Sequence, residues 1–159
     1  MDKSTLIAYL AGFFDGEGSI FIDKLYGMSC VITSTTKWAL ESFRFGFGGN
    51  ITENKKIYNV SQHTTYQWKV KSTKAKIFLQ AILPYLKLKK PEAEIAIKFQ
   101  NRKELKHYTV RNRVPKKEQI LREADRILLQ KMKEQVKGGI NNLWVESIEE
   151  KESDQLSLF

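Results

Sequence analysis

Residues 5–22 read TLIAYLAGFFDGEGSIFI, and the fold turns on how this stretch is read. From Thr5 to Phe14 the chain is apolar around the whole circumference of a helix, whereas a surface helix carries a polar face. The stretch therefore predicts a helix buried on most sides. Ala8, Ala11 and Gly12 are small enough to let a second backbone approach closely. Asp15-Gly16-Glu17-Gly18 follows, and two glycines among two carboxylates are expected to end the helix near Phe14. From Ser19 the period changes to two, with Ile20 and Ile22 on one face and Ser19, Phe21 and Asp23 on the other, which predicts a strand.

Two carboxylates at a helix C-terminus are electrostatically unfavourable, because the helix dipole already concentrates negative charge there. Something positive is expected beside them. Two readings stay open on the residues alone. Asp-Gly pairs form ordinary turns, and a carboxylate next to bare glycine carbonyls also suits a hard divalent cation such as Mg²⁺.

Outward from this segment, Tyr26-Gly27 turns the chain into a second strand in which Met28, Cys30 and Ile32 face the core and Ser29, Val31 and Thr33 face out. Thr36 is placed to cap a helix to about Phe47, stopped by Gly48-Gly49. Residues 50–71 predict a longer hairpin whose tip lies between Asn54 and Thr64. Its second strand sends Tyr66, Trp68 and Val70 inward and Thr65, Gln67, Lys69 and Lys71 outward. Ser72 opens a helix with Ala75, Phe78, Leu79 and Ile82 on one side, ending before Pro84. A basic link, Lys87-Leu88-Lys89-Lys90, leads to Pro91 and a helix to about residue 105, followed by a polar loop over 107–115. A last helix opens after Pro115 with Ile120, Leu121, Ala124, Ile127, Leu128, Met132 and Val136 along one stripe, expected to be its packed face. Gly138-Gly139 closes it.

The chain has 159 residues, 42% of them hydrophobic and 11% aromatic, enough to build a core without staples. Its net charge of +9 attracts polyanions, and nucleic acid is the first to consider. The charge is uneven: +7 over residues 1–90, +6 over 91–139 and −4 over 140–159. Cys30, the lone cysteine, falls at a core position and is expected to be buried and inert. No window holds the run of about 20 apolar residues that a membrane span needs, and no cationic leader precedes an apolar run. An intracellular, cytoplasmic location is expected. No zinc-spaced Cys/His cluster, Gly-rich phosphate loop or Ser/His/Asp set is suggested. His63 and His107 are isolated and read as structural or surface residues; Trp38, Trp68 and Trp144 read as core or interface anchors.

The stretch Tyr9-Leu10-Ala11-Gly12-Phe13-Phe14-Asp15-Gly16-Glu17-Gly18-Ser19-Ile20 resembles the LAGLIDADG motif of homing endonucleases, in its single-copy form. VITSTT at 31–36 and ILPYLKLKK at 82–90 follow in that family's order. The second of these resembles the family segment that carries a catalytic lysine. The resemblance implies an α+β fold: an αββαββα core with a saddle-shaped antiparallel sheet over residues 1–90, then C-terminal helices over about 91–137. It puts the endonuclease domain at 1–139 and leaves 140–159 as an acidic, partly disordered tail. Single-motif members act as homodimers whose motif helices pack on the two-fold axis, which makes Ala8, Ala11 and Gly12 the expected contact residues.

The resemblance also assigns roles. Glu17 matches the metal-binding carboxylate, with the Gly16 carbonyl as a further ligand, and Lys89 matches the lysine near the scissile phosphate. Ser34 stands where members often carry Gln or Asn to hold a water network, and its shorter side chain leaves a gap that water fills. The implied reaction is hydrolysis of both strands of a long near-palindromic site, supported by Mg²⁺ or Mn²⁺, with Ca²⁺ sustaining binding without cleavage. Base readers are sought on the outward sheet faces: Phe21, Asp23, Ser29, Val31 and Thr52, then Asn54, Thr65, Gln67 and Lys69. A solvated sheet face is the plain alternative. Lys55, Lys56, Lys71, Lys87, Lys90, Arg111 and Arg113 are expected to meet phosphates.

The last five residues, Gln155-Leu156-Ser157-Leu158-Phe159, resemble the pentapeptide with which bacterial replication and repair proteins bind the sliding clamp. The clamp, in a bacterial or phage host, is one expected partner; an unstructured tail or a dimer-packing strand is the other reading. The principal expectation is an intron-encoded, site-specific DNA endonuclease. The alternatives are an RNA-binding intron maturase and a DNA-binding regulator without catalysis, which has no use for both Glu17 and Lys89.

Overall fold

The computed structural model describes residues 2–58, 61–106, 108 and 114–138. Elements follow the order α1 (Lys3–Glu17), β1 (Gly18–Ile22), β2 (Met28–Ser34), α2 (Lys37–Phe47), β3 (Asn50–Tyr58), β4 (Ser61–Lys71), α3 (Ser72–Ile82), a 3-10 turn (Leu83–Tyr85), α4 (Lys90–Leu105) and α5 (Lys116–Gly138). The strands form one antiparallel sheet in the order β1-β2-β4-β3. This is the expected α+β plan of αββαββα followed by C-terminal helices. The β3–β4 ladder runs down to Tyr58 opposite Ser61, so the hairpin tip falls at positions 59–60, outside the described residues.

Helix α1 is longer than expected. Asp2 caps it by accepting the Thr5 N–H at 2.7 Å, and it continues through Asp15-Gly16 to Glu17, with Gly18 as its C-cap. Gly16 costs about 1 kcal/mol inside a helix, and burial of Phe14 with anchoring of Asp15 outweighs that. Only one side of the helix is covered. Leu10, Ala11, Phe14 and Asp15 are buried, while Leu6, Tyr9, Gly12 and Gly16 are exposed.

The core lies between one face of the sheet and helices α1 to α4. Ile20, Met28, Cys30, Ile32, Trp68 and Val70 come from the strands at the alternation read from sequence. They meet Phe14, Phe43, Phe78 and Phe99 from the helices. Phe78 sits 5.0 to 5.9 Å, centroid to centroid, from Phe14, Phe43, Phe47 and Trp68, the spacing of edge-on aromatic pairs. The Trp68 indole N–H donates to the Gly48 carbonyl at 2.8 Å. This pins a turn in which Gly48 and Gly49 both have positive φ, and a Cβ on Gly49 would stand 2.6 Å from the Lys69 carbonyl. Trp38, expected as an anchor, is 69% exposed in the single chain, and Trp144 lies outside the described residues. Cys30 is fully buried, and burial pushes its thiol well above the ordinary range.

Helix α5 reverses its expected polarity. Ile120, Leu121, Ala124, Ile127 and Leu128 are exposed, and the covered side carries Glu118, Arg122 and Leu129. A charged network holds it on α4. Glu118, 2% exposed, receives Lys106 at 2.9 Å and Arg122 at 3.0 Å, and Arg102 pairs with Asp125. Burial raises the Glu118 carboxyl, but the bonds from Lys106 and Arg122 outweigh it and hold the group below its ordinary range. Apolar spacing alone does not reveal this choice, because the opposite face has the same helical period.

A second polar network joins α3 to α4. Glu104 accepts from Lys76, from Gln100 at 3.0 Å and from Thr73 at 2.8 Å. The Lys76 ammonium, with help from Gln100 and Thr73, lowers its carboxyl from 4.5 to about 2. The charged form therefore stabilises the fold above pH 4.5, and that contribution is lost as pH falls toward 2. Glu104→Gln is expected to cost about 1 kcal/mol at neutral pH, a drop of roughly 2–4 °C in Tm. Thermal unfolding at a series of pH values should show the two proteins converging below pH 4.5; a gap constant down to pH 2 would reject this assignment.

Candidate functional site

The outward face of the sheet and the C-terminal end of α1 form one continuous surface. Strand register sets the outward side chains in rows. Phe21, Ser29 and Lys71 form one; Ser19, Val31, Lys69 and Asn50 the next; Thr33, Gln67 and Thr52 a third; Thr65 and Asn54 a fourth. Gln67 donates through Nε2 to Thr33 Oγ1 at 3.4 Å, which ties two of these strands at their polar face. Glu17, exposed at the end of α1, lines a cleft with these rows, a second with Ser34, Thr35 and Thr65, and a third with Lys89.

Asp15 organises this end of the molecule. Its buried carboxylate accepts the backbone N–H groups of Lys87, Leu88 and Lys89 at 2.6, 3.1 and 2.9 Å. An anion thus stands just before the N-terminus of α4, where the dipole favours it and where Lys89 offers no side-chain cap. The Lys89 ammonium in turn donates to the Asp15 carbonyl, one of the last-turn carbonyls that lack an intrahelical partner. The positive compensation expected beside the acidic turn is therefore the 87–89 loop itself. The family resemblance points to Lys89 but not to Asp15 as its holder; 74 positions separate the two, and local sequence carries no sign of that contact.

The donor set around Glu17 can be tested against a divalent ion. Among the described residues no three His, Cys, Asp or Glu side chains come together. One chain thus offers one exposed carboxylate, Glu17, beside the open Gly16 backbone, all hard oxygen. That fits Mg²⁺, which takes one or two carboxylates and fills the remaining positions from water and substrate phosphates. Ser34 is half-buried, and its Oγ accepts the Thr36 N–H at 3.1 Å, leaving the hydroxyl proton to donate elsewhere.

Several expected contact residues are placed differently from the sequence reading. Asp23 and Ser29 do line the first cleft with Glu17, but Asp23 is engaged in its own turn, accepting the Leu25 and Gly27 N–H groups at 2.8 Å each, and Ser29 is only 8% exposed. Lys55 falls on the opposite face from Asn54 and pairs with Glu53 at 3.4 Å, so it does not share the outward surface. Ala11 is buried in the chain's own core and is closed to a second copy; Leu6, Tyr9 and Gly16 extend the open face of Gly12, with Ala8 half-buried at its edge. Lys87 and Lys90 are exposed beside Lys89. Arg111, Arg113, His107 and Gln155, Leu156, Leu158 and Phe159 lie outside the described residues, as do the side chains of Lys56 and His63. Ser19, Thr33 and Asn50 belong to the outward rows, and the same two-residue alternation points to them.

Asp15→Asn keeps the shape but sets an amide N–H where one acceptor oxygen stood. It is expected to cost about 3 kcal/mol of stability and to speed amide hydrogen exchange at residues 87–89. Unchanged exchange there would show that the loop is held by something else.

No family sequence model and no curated protein sequence matches the chain. Solved structures do. The archaeal intron-encoded homing endonuclease I-Vdi141I, complexed with DNA, superposes with a TM-score of 0.61 at 18% identity, covering 82% of this chain and 86% of that one. The homing endonuclease I-CvuI, with the I-CreI target in the presence of Mg and its DNA uncleaved, gives 0.52 at 19% identity over 87% of this chain and 86% of that one. At these identities the likeness is one of fold, and the motif over residues 9–20, the αββαββα order and the sheet agree with it: the chain has the fold of the LAGLIDADG homing endonucleases.

Proposed function

We propose that the chain is a site-specific double-strand DNA endonuclease of the homing type, acting as a homodimer with a divalent metal. One observation carries the reading: Glu17 ends a helix whose other exposed side is apolar, and it shares a cleft with Lys89 beside a polar sheet face. An exposed helix face of Leu6, Tyr9, Gly12 and Gly16 costs free energy in water and suits an isologous contact with its own copy. Such a contact brings two Glu17 carboxylates together, and like charges at short range favour a cation between them.

Glu17 and the Gly16 carbonyl would hold the ion, Mg²⁺ or Mn²⁺, whose positive charge activates water and stabilises the leaving oxygen of the phosphodiester. Lys89, steered by Asp15, would donate its ammonium hydrogens to a non-bridging phosphate oxygen as charge builds there. Ser34 would orient water through its free hydroxyl proton. The outward rows, centred on Gln67, Thr33 and Thr52, would meet base edges in the major groove, where Gln pairs with adenine and Thr touches thymine methyls. Lys69, Lys71, Lys87 and Lys90 would contact the backbone. DNA is present in the fold neighbour I-Vdi141I. No helix among the described residues is long and apolar enough to cross a membrane. A DNA-binding regulator has no need of both Glu17 and Lys89 in one cleft, and the net charge of +9 alone does not separate DNA from RNA.

The test begins with selection from a randomised duplex library in Ca²⁺, followed by Mg²⁺, for wild type and Glu17→Gln. Enrichment of a near-palindrome that wild type cuts and the variant binds but leaves intact, at least about 10³-fold slower, is the expected result. Cutting by Glu17→Gln at the wild-type rate would remove the metal assignment. For the terminal QLSLF, deletion of Leu158 and Phe159 should abolish binding to a bacterial sliding clamp without changing cleavage. Absence of clamp binding by the intact chain would end that part of the reading.

A further inference from the structure

Lysine 133 has no part in the roles assigned so far, yet α5 carries it into the same cleft as Glu17. The cleft has a volume of about 460 Å³, and Lys133 lines it together with Glu17, Phe21, Lys89 and Glu92. Its ammonium lies 3.9 Å from the centroid of the Phe21 ring, a cation–π contact with an outward residue of the edge strand β1. Leu129, buried one turn earlier on α5, fixes the helix against that edge.

Two lysines from distant parts of the chain thus line one cleft: Lys89 from the loop before α4, and Lys133 from the distal half of α5. Like charges gathered in this way repel. Glu92, 3% exposed in the first turn of α4, lines the same cleft. A phosphodiester backbone laid along the outward sheet face needs a cation there.

Resting on the endonuclease reading above, we propose that Lys133 is a phosphate-binding residue of the catalytic cleft, holding the DNA backbone next to the bond that is cut. The ring of Phe21 sets the position of its ammonium, and α5 serves as the strut that delivers it. The role is one of positioning: Lys133 touches the substrate backbone, while Glu17 and Lys89 act at the reacting atoms.

The test uses the full-length chain and the duplex that wild type enriches in Ca²⁺. Lys133→Met should weaken binding by about tenfold at moderate salt, and the slope of log K against log salt should fall by about one phosphate contact. Lys133→Arg should restore both, and Lys131→Met, an exposed neighbour, should leave both unchanged. Phosphate-ethylation interference gives a second readout. One phosphate flanking the cut in each half-site should block wild-type binding and lose that effect with Lys133→Gln. An unchanged salt slope in both the Met and Gln variants overturns the proposal, as does a fall in Tm with the wild-type interference pattern retained, which assigns Lys133 to packing alone. If wild type enriches no duplex, the endonuclease reading falls and this inference with it. If wild type selects and cuts a site while the Lys133 variants match it, only this inference falls.

Discussion

One carboxylate holds the two halves of the molecule in register. Asp15, at the end of α1, accepts three consecutive backbone N–H groups from the loop that leads into α4, and the lysine of that loop returns a bond to the Asp15 carbonyl. The contact joins residues more than seventy positions apart in the chain. It offsets the repulsion between the Asp15 carboxylate and the negative end of α1, since the positive start of α4 meets that same side chain. The place of Lys89 and Glu92 in the cleft around Glu17 depends on it, because it sets where the α3–α4 link passes.

The elements were legible where a side-chain period met a burial requirement. Strands β1, β2 and β4 follow the alternation of Ile20, Ile22, Met28, Cys30, Ile32, Trp68 and Val70 without a slip, and α3 buries Ala75, Phe78, Leu79 and Ile82 at helical spacing. The end of α1 was not legible. Glycine propensity marks a break at Asp15-Gly16, and the tertiary bonds made by Asp15 override it. The packed face of α5 is not legible for a different reason: its apolar and charged stripes share one period, and the choice between them depends on Arg102 of α4 and Lys106 at its end, which a scan along α5 cannot see.

The candidate site divides in the same way. Glu17, Lys89 and the outward residues of the sheet follow from the motif and from alternation. The engagement of Asp23 in its turn, the covering of Ser29 and the closing of Ala11 into the core do not, since each depends on neighbours contributed by packing. Lys133 is the furthest from local reading. It is one of several lysines on a basic helix, and only the docking of α5 along β1 gives it a place in the cleft that Glu17 lines.

The outward rows of the sheet carry a metric consequence. Side chains on one face of a strand recur every second residue, about 6.8 Å apart, close to two base-pair steps at about 3.4 Å each. A single strand laid along a groove therefore samples alternate base pairs. Pairing Val31 with Lys69 and Thr33 with Gln67 keeps neighbouring strands level, and the twist of the sheet then offsets their side chains along the groove. On the proposed reading, recognition would be distributed like a vernier scale: replacing one residue would alter the reading of a narrow window of sequence, and shifting the register of one strand by a single residue would erase it.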